Sequence, residues 1–146
     1  MKKMIVAVAM LVTMSAFANE KNVNPKALSA FKTEFSTARE VEWTTTPDYY
    51  RAAFDMNGQK VFAFYNTDGE FMGLARNISS AQLPVYLQSS LKKNYAGYWI
   101  SDLFEIASDD QTTYYVTLEN ADKKIVLRSN GADSWDVYAK TKKNME

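Results

Sequence analysis

Between Val41 and Arg76 the hydrophobic period is two, and tight-turn signals interrupt the run at short intervals. Val41 and Trp43 alternate with Glu42 and Thr44, and Thr46-Pro47-Asp48 then turns the chain. Tyr50, Ala52 and Phe54 follow on one face, with Tyr49, Arg51 and Asp55 on the other. Asn57-Gly58 is the strongest signal, because both central positions of a type I′ turn require positive φ. Val61 to Tyr65 makes a third strand, Asp68-Gly69 turns again, and Glu70 to Arg76 makes a fourth. Short strands joined by such turns can pair only with their neighbours, so this stretch predicts an antiparallel meander.

Helical spacing flanks that meander. Asn24-Pro25 supplies an N-cap and a first-turn proline, and Ala27, Leu28, Phe31 and Phe35 then share a stripe over residues 25–36. A second helix follows the meander, with Leu83, Tyr86, Leu87, Ser90, Leu91 and Tyr95 on roughly one face and Ala96-Gly97 as its stop. Pro84 belongs in its first turn, because an interior proline costs about 3 kcal/mol, and Ser79 and Ser80 fall in a preceding turn. Residues 98–107 alternate imperfectly, Thr112 to Leu118 is β, Lys123 to Arg128 is a shorter strand, and Asn130-Gly131 precedes a last segment around Trp135 and Tyr138. The polar end from Lys140 to Glu146 predicts fraying.

The two halves correspond. Phe31 and Phe35 stand 60 residues before Leu91 and Tyr95, and Trp43 stands 60 before Leu103, which indicates a diverged internal duplication. The expected class is α+β, with tandem units of one helix and a four-stranded antiparallel meander. The first unit is placed at 19–80 and the second at 81–146, together forming one compact domain.

The opening residues are not part of that domain. Met1-Lys2-Lys3-Met4 is a positive n-region, Ile5 to Met14 is an apolar run, and Ser15-Ala16-Phe17-Ala18 ends in a small-x-small site. This is a secretory leader over residues 1–18, cleaved after Ala18, and its core is shorter than the roughly 20 residues a membrane span needs. The expected location is periplasmic or secreted, with no membrane span in the mature chain. Formal charge is zero over 146 residues, and loss of Lys2 and Lys3 leaves the remainder slightly acidic. Lys92-Lys93 and Lys123-Lys124 are isolated pairs rather than a basic stripe, which argues against nucleic acid as a partner.

Composition narrows the chemistry further. The chain has no cysteine and no histidine. It therefore cannot form a disulfide, a thiolate nucleophile or an imidazole base, and it lacks the commonest metal ligand. Glu40/Glu42 and Asp109/Asp110 are the close carboxylate pairs, and they fit an exposed strand face and a turn better than an acid–base pair. The spacing of a calcium loop is absent around Asp109-Asp110. Asn77-Ile78-Ser79 matches a glycosylation sequon by chance composition. No catalytic residue, cofactor or metal is expected.

One feature of the meander goes beyond packing. If Val41, Trp43, Tyr50, Ala52, Phe54, Val61, Ala63 and Tyr65 face the helix, the other face carries Glu42, Thr44, Tyr49, Arg51, Phe62, Phe64, Met72, Leu74 and Arg76. That set is too apolar for bare solvent, and aromatic residues with arginine are what anchor interfaces. Either this face is covered, so that Phe62 and Phe64 are core, or it is an open recognition surface. In the open case Tyr49, Arg51, Phe62, Phe64, Met72, Leu74 and Arg76 form a binding site for a protein or peptide. The alternatives are an envelope assembly subunit and a carrier of a small apolar ligand, the chain being a monomer or a weak homo-oligomer.

The order Val41-x-Trp43, Tyr50-x-Ala52-x-Phe54, Asn57-Gly58, Ala63-x-Tyr65, Asp68-Gly69, Arg76-x-Ile78 and Leu83-Pro84, with a helix ending at Tyr95, resembles the PepSY-like, beta-lactamase-inhibitor-like family of small exported bacterial proteins. The resemblance spans about residues 23–140. It implies a helix-plus-antiparallel-sheet unit, often in tandem, outside the cytoplasm; the family's inhibitor presents a concave sheet face to an enzyme, a function that rests on its own contact residues and does not pass with the scaffold. The inhibitor's disulfides have no counterpart here.

Overall fold

The computed structural model describes residues 17–18, 20–109 and 111–143. The leader expectation falls mostly on residues 1–16, and half of the Asp109/Asp110 pair on Asp110, which lie outside the described residues. The chain divides into two compact units, residues 1–76 and 77–146.

The first unit opens with a two-residue pairing segment, β1 (Phe17–Ala18), and a helix, α1 (Pro25–Glu34). Four strands follow: β2 (Arg39–Thr45), β3 (Tyr49–Met56), β4 (Gln59–Asn66) and β5 (Phe71–Asn77). The second unit repeats the order, with α2 (Val85–Asn94), β6 (Trp99–Ser108), β7 (Gln111–Glu119), β8 (Lys123–Asn130) and β9 (Ser134–Lys142). Within each unit consecutive strands pair antiparallel.

The α+β class is overturned. Eight strands of seven to ten residues stand against two helices of ten residues each, so the protein is largely β. The helical stripes are real, but each is under three turns long. An isolated helix of that length is marginal in water and persists here because a sheet covers it.

In the first unit the helix start is fixed from two sides. Asn24 Oδ1 accepts from the Lys26 backbone N–H at 2.9 Å, and Asn24 Nδ2 donates to the Thr67 carbonyl at 3.2 Å. The turn carrying Thr67 thus meets the first turn of α1. Gly69 makes the approach possible. It sits at φ +86°, and a Cβ there would come within 2.7 Å of Lys26 Cβ and 2.9 Å of the Ala27 nitrogen. Below the helix lies an aromatic cluster. Phe31 meets Trp43 edge-on at 5.3 Å and Phe54 at 5.0 Å, and Trp43 is 5.9 Å from Tyr65. Burying Phe31 contributes about 2–3 kcal/mol.

The second unit has the same plan with a different filling. Leu83, Leu87, Leu91, Leu103, Val116, Leu118, Ile125 and Leu127 form an aliphatic core. Where the first unit sets Phe31 and Trp43 among Ala27 and Ala63, the second has Leu91 and Leu103 among Leu87 and Leu127. Large-with-small and uniform medium residues are two ways to fill a similar volume at interior density. Trp135 locks the last strand to the helix, its indole N–H donating to the Leu87 carbonyl at 3.1 Å.

The correspondence extends to burial. From Asn22 to Glu40 the sequence of buried, half-buried and exposed positions is reproduced, residue for residue, from Gln82 to Ile100. Pro84 caps α2 rather than entering it, and Ser79 with Gln82 forms a capping box on the preceding turn. The expectation of a frayed tail is corrected through Lys143. β9 runs to Lys142, which pairs with Lys123, and the Lys143 backbone N–H donates to the Asp122 carbonyl at 2.8 Å. The Lys143 ammonium also holds Glu119 at 2.9 Å and lies 4.8 Å over the Trp99 ring.

Two measurements follow from this packing. Gly58 also has positive φ, but nothing lies within 4 Å of a Cβ built there. Gly58→Ala should therefore cost about 1 kcal/mol of backbone strain, whereas Gly69→Ala adds overpacking and should cost about 3 kcal/mol in urea unfolding. Tyr65, buried beneath α1, has its phenol pushed up to about 12, first by burial and then by the nearby Glu34 carboxylate. Its neutral form is the one the fold favours. Stability should be intact below pH 10 and fall by about 2–3 kcal/mol as pH rises from 10 to 12, with a shallower fall in Tyr65→Phe.

Candidate functional site

The face of the first meander turned away from α1 is defined by strand register. Thr44 stands opposite Arg51, Arg51 opposite Phe64, and Phe64 opposite Gly73. In the next row Ala53 stands opposite Phe62 and Phe62 opposite Ala75. Cross-strand neighbours on one face lie about 5 Å apart, so these side chains form contiguous rows.

The aromatic residues on this face do not share one environment. Phe64 is 2% exposed and Tyr49 6%, and their rings meet edge-on at 5.8 Å. Phe62 and Arg51 are half-buried. The Arg51 guanidinium lies 5.3 Å from the Phe62 ring centroid, and Nη2 donates to Thr44 Oγ1 at 3.4 Å. A cation over a ring is worth about 0.5–1 kcal/mol when exposed and more when desolvated, so Arg51 and Phe62 hold each other in place. Tyr49 and Phe64 are thus core, as the covered alternative has it for Phe64, whereas Arg51 and Phe62 are only half-buried.

The remaining three residues fall elsewhere. Leu74 stands opposite Ala63 and packs against the α1-side core. Arg76 Nη1 donates to Gln59 Oε1 at 3.3 Å, on the same side as Leu74 by alternation. Met72 lies at a register shift, because Phe64 pairs with Gly73 while Tyr65 pairs with Phe71. The sequence assigned β5 the wrong phase, and a one-residue slip exchanges every side chain between faces. Large–small complementarity carried the missing signal: Gly73 and Ala75 fit opposite Phe64 and Phe62, as Leu74 fits opposite Ala63.

The second unit holds a counterpart that sequence reasoning missed. On β6 and β7, Phe104 stands opposite Tyr115, with rings stacked at 5.2 Å and 16°. Tyr115 in turn stands opposite Arg128. Tyr138 meets Tyr115 edge-on at 5.7 Å, and the Arg128 guanidinium lies 5.9 Å over the Tyr138 ring. Burial raises the Tyr115 phenol above its ordinary range, while the charge and hydrogen bond of Arg128 oppose that shift and Tyr138 adds to it. Each unit thus sets one half-buried arginine over one half-buried ring, beside fully buried aromatic residues. Tyr115, Arg128 and Tyr138 lie on three different strands, so only the strand pairing brings them together.

The Glu40/Glu42 pair does not form as the sequence pattern has it. Glu40 has φ +53°, and the register breaks between Arg39 and Glu42, so Glu40 and Glu42 do not share the regular face expected of them. Glu40 instead lines an open polar groove of about 630 Å³ with Thr37, Arg39, Asp55, Asn57 and Gly58. Asp55 in that groove is held by Lys60 at 3.3 Å. Among the described residues, no group of three carboxylates has metal-binding geometry.

The distribution of burial gives a direct test. Phe64→Ala should destabilise the protein by about 3–4 kcal/mol, as deletion of a core ring does, whereas Phe62→Ala should cost about 1 kcal/mol in the same urea titration.

No protein-family model and no curated protein matches the chain. Solved structures do. A protein assigned to the periplasm of Bacteroides eggerthii has a TM-score of 0.71 at 14% identity, over 82% of this chain and 88% of its own. A DUF2874 family protein of Bacteroides ovatus has a TM-score of 0.71 at 19% identity, over 83% and 88%. A BLIP-like protein of Bacteroides fragilis has a TM-score of 0.66 at 15% identity, over 92% and 91%. Nothing in these comparisons carries the PepSY-like half of the resemblance, and at such identities the likeness is one of architecture. The chain shares its fold with BLIP-like and DUF2874 proteins of Bacteroides.

Proposed function

We propose that this protein is an exported, noncatalytic binding module that recognises a protein or peptide through the sheet face turned away from the helix in each unit. The observation that carries the proposal is the recurrence of the arginine-over-ring pair, Arg51 with Phe62 and Arg128 with Tyr138, in both units. Arginine and aromatic residues dominate interface hot spots, and a strand-mounted pair is already ordered before a partner arrives. Arg51 and Arg128 offer charge-assisted hydrogen bonds to acidic or carbonyl-rich groups, and Phe62 and Tyr138 offer apolar contact. Tyr49 and Phe64 support the surface from below. Met72 lies at its margin, and Leu74 and Arg76 belong to the other face.

Export is supported by the leader pattern before Asn19 and by the likeness to a protein assigned to the periplasm. No helix among the described residues is long and apolar enough to cross a membrane. The noncatalytic part rests on a sequence without histidine or cysteine.

Capture from periplasmic extract by immobilised residues 19–146 should be lost at least tenfold in the Arg51→Ser/Phe62→Ser variant, with circular dichroism and melting behaviour retained. Equal capture by the folded variant would remove this face from the function.

A second reading, an assembly subunit, has its own observation. Val85 and Tyr86 are each 72% exposed and Trp99 54%, whereas the corresponding positions in the first unit are Pro25, Lys26 and Arg39. Self-association through those residues predicts a mass that rises with concentration in light scattering, and Tyr86→Lys should abolish the rise. A constant monomer mass would remove this reading.

A further inference from the structure

Strand β2 is paired on one side by β3 and on the other by β1, with Phe17 opposite Thr44 and Ala18 opposite Trp43 in antiparallel register. Phe17 and Ala18 are the last two residues before the expected leader cleavage. Cleavage there would remove that neighbour and leave the outer edge of β2 bare.

The edge is defended along only half its length. Its upstream part carries Arg39, Glu40 and Glu42, a register break between Arg39 and Glu42, and the left-handed conformation of Glu40 at φ +53°. Charges and bulges of this kind blunt an edge against pairing. Downstream, Trp43, Thr44 and Thr45 carry no charge and keep regular register against Ala52, Arg51 and Tyr50. Thr45 Oγ1 is buried without a hydrogen-bond partner among the described residues. The outer strand of the second unit, β9, contrasts with this segment, because it carries Asp136, Lys140 and Lys142.

We propose that the outer edge of β2 at Trp43–Thr45 is a strand-addition site, accepting an extended peptide segment of a partner protein in antiparallel register. The pairing with β1 shows that backbone groups of a short extended segment fit there, and main-chain hydrogen bonds supply affinity in this mode of recognition. A partner segment is favoured over a second copy of the chain. Self-pairing about Thr44 would meet the break at residues 39–42 of one copy or the other on both sides, leaving only a few residues in register. The proposal does not depend on the arginine-bearing face.

The test uses residues 19–146 and a synthetic peptide of leader sequence 14–19, Met-Ser-Ala-Phe-Ala-Asn, as probe. Saturable binding is expected, with new amide-exchange protection confined to β2 around Trp43–Thr45. The same peptide N-methylated at the positions of Phe17 and Ala18 should bind roughly tenfold more weakly or worse, because its side chains are unchanged but its backbone donors are lost. A chain beginning at residue 14 should show that protection without added peptide and should not bind the probe. Equal binding of the two peptides, protection elsewhere, or no binding at millimolar probe would overturn the proposal. Protection at Trp43–Thr45 that rises with protein concentration in the absence of peptide would overturn it in favour of self-pairing.

Discussion

The seating of one short helix on one face of a meander is the contact on which each unit depends. Ten residues cannot hold a helix in water, and four twisted strands with one greasy face cannot leave that face bare. Each element is stable because it hides the other. In the first unit the contact is made by Phe31 against Trp43 and Phe54, and its closeness is set by the absence of a side chain at Gly69. In the second unit leucines occupy the corresponding positions, and the Trp135 indole adds a polar tie to the helix backbone. The other face is freed from the duty of holding the helix, and the arginine-over-ring pairs are found there.

Much of the architecture was legible in the residues because the strongest signals are local. Asn57-Gly58 and Asp68-Gly69 mark turns through backbone conformation alone, and Asn24-Pro25 marks a helix start through capping. What these signals do not report is proportion. A stripe such as Leu83, Leu87 and Leu91 proves that a helix exists, but the balance between helix and sheet depends on how far strands extend through paired backbone. That is why Gln111–Glu119, Lys123–Asn130 and Ser134–Lys142 proved longer than their patterns suggested and the class moved to largely β. The Lys140–Lys142 segment is polar throughout, yet pairing with Lys123–Ile125 orders it.

The candidate site was legible in part, and the failures have physical causes. Arg51 and Phe62 fall on the face expected of them because alternation along β3 and β4 is unbroken. Leu74 and Arg76 were placed on the wrong face because a register shift next to Met72 resets the phase, and alternation cannot see an inserted residue. Tyr49 and Phe64 lie on the expected face and are buried, which for Phe64 is the covered alternative, although alternation alone does not choose between covered and open. The second arginine pair was overlooked for a related reason. Arg128 and Tyr138 are ten residues apart in sequence and meet only because β8 and β9 fold back across Asn130-Gly131.

The matched burial of residues 22–40 and 82–100 has a consequence for how such a chain changes over time. Positions that must stay apolar are the same in both copies, so the remainder form a shared set of sites at which substitution leaves packing untouched. Lys26 and Tyr86 occupy one such site, and Arg39 and Trp99 another. One copy can keep a charged exterior that maintains solubility while the other accumulates adhesive residues, without either helix losing its seat. The repeated plan therefore separates the positions that hold the fold, which are the same in both halves, from the positions at which the two surfaces differ.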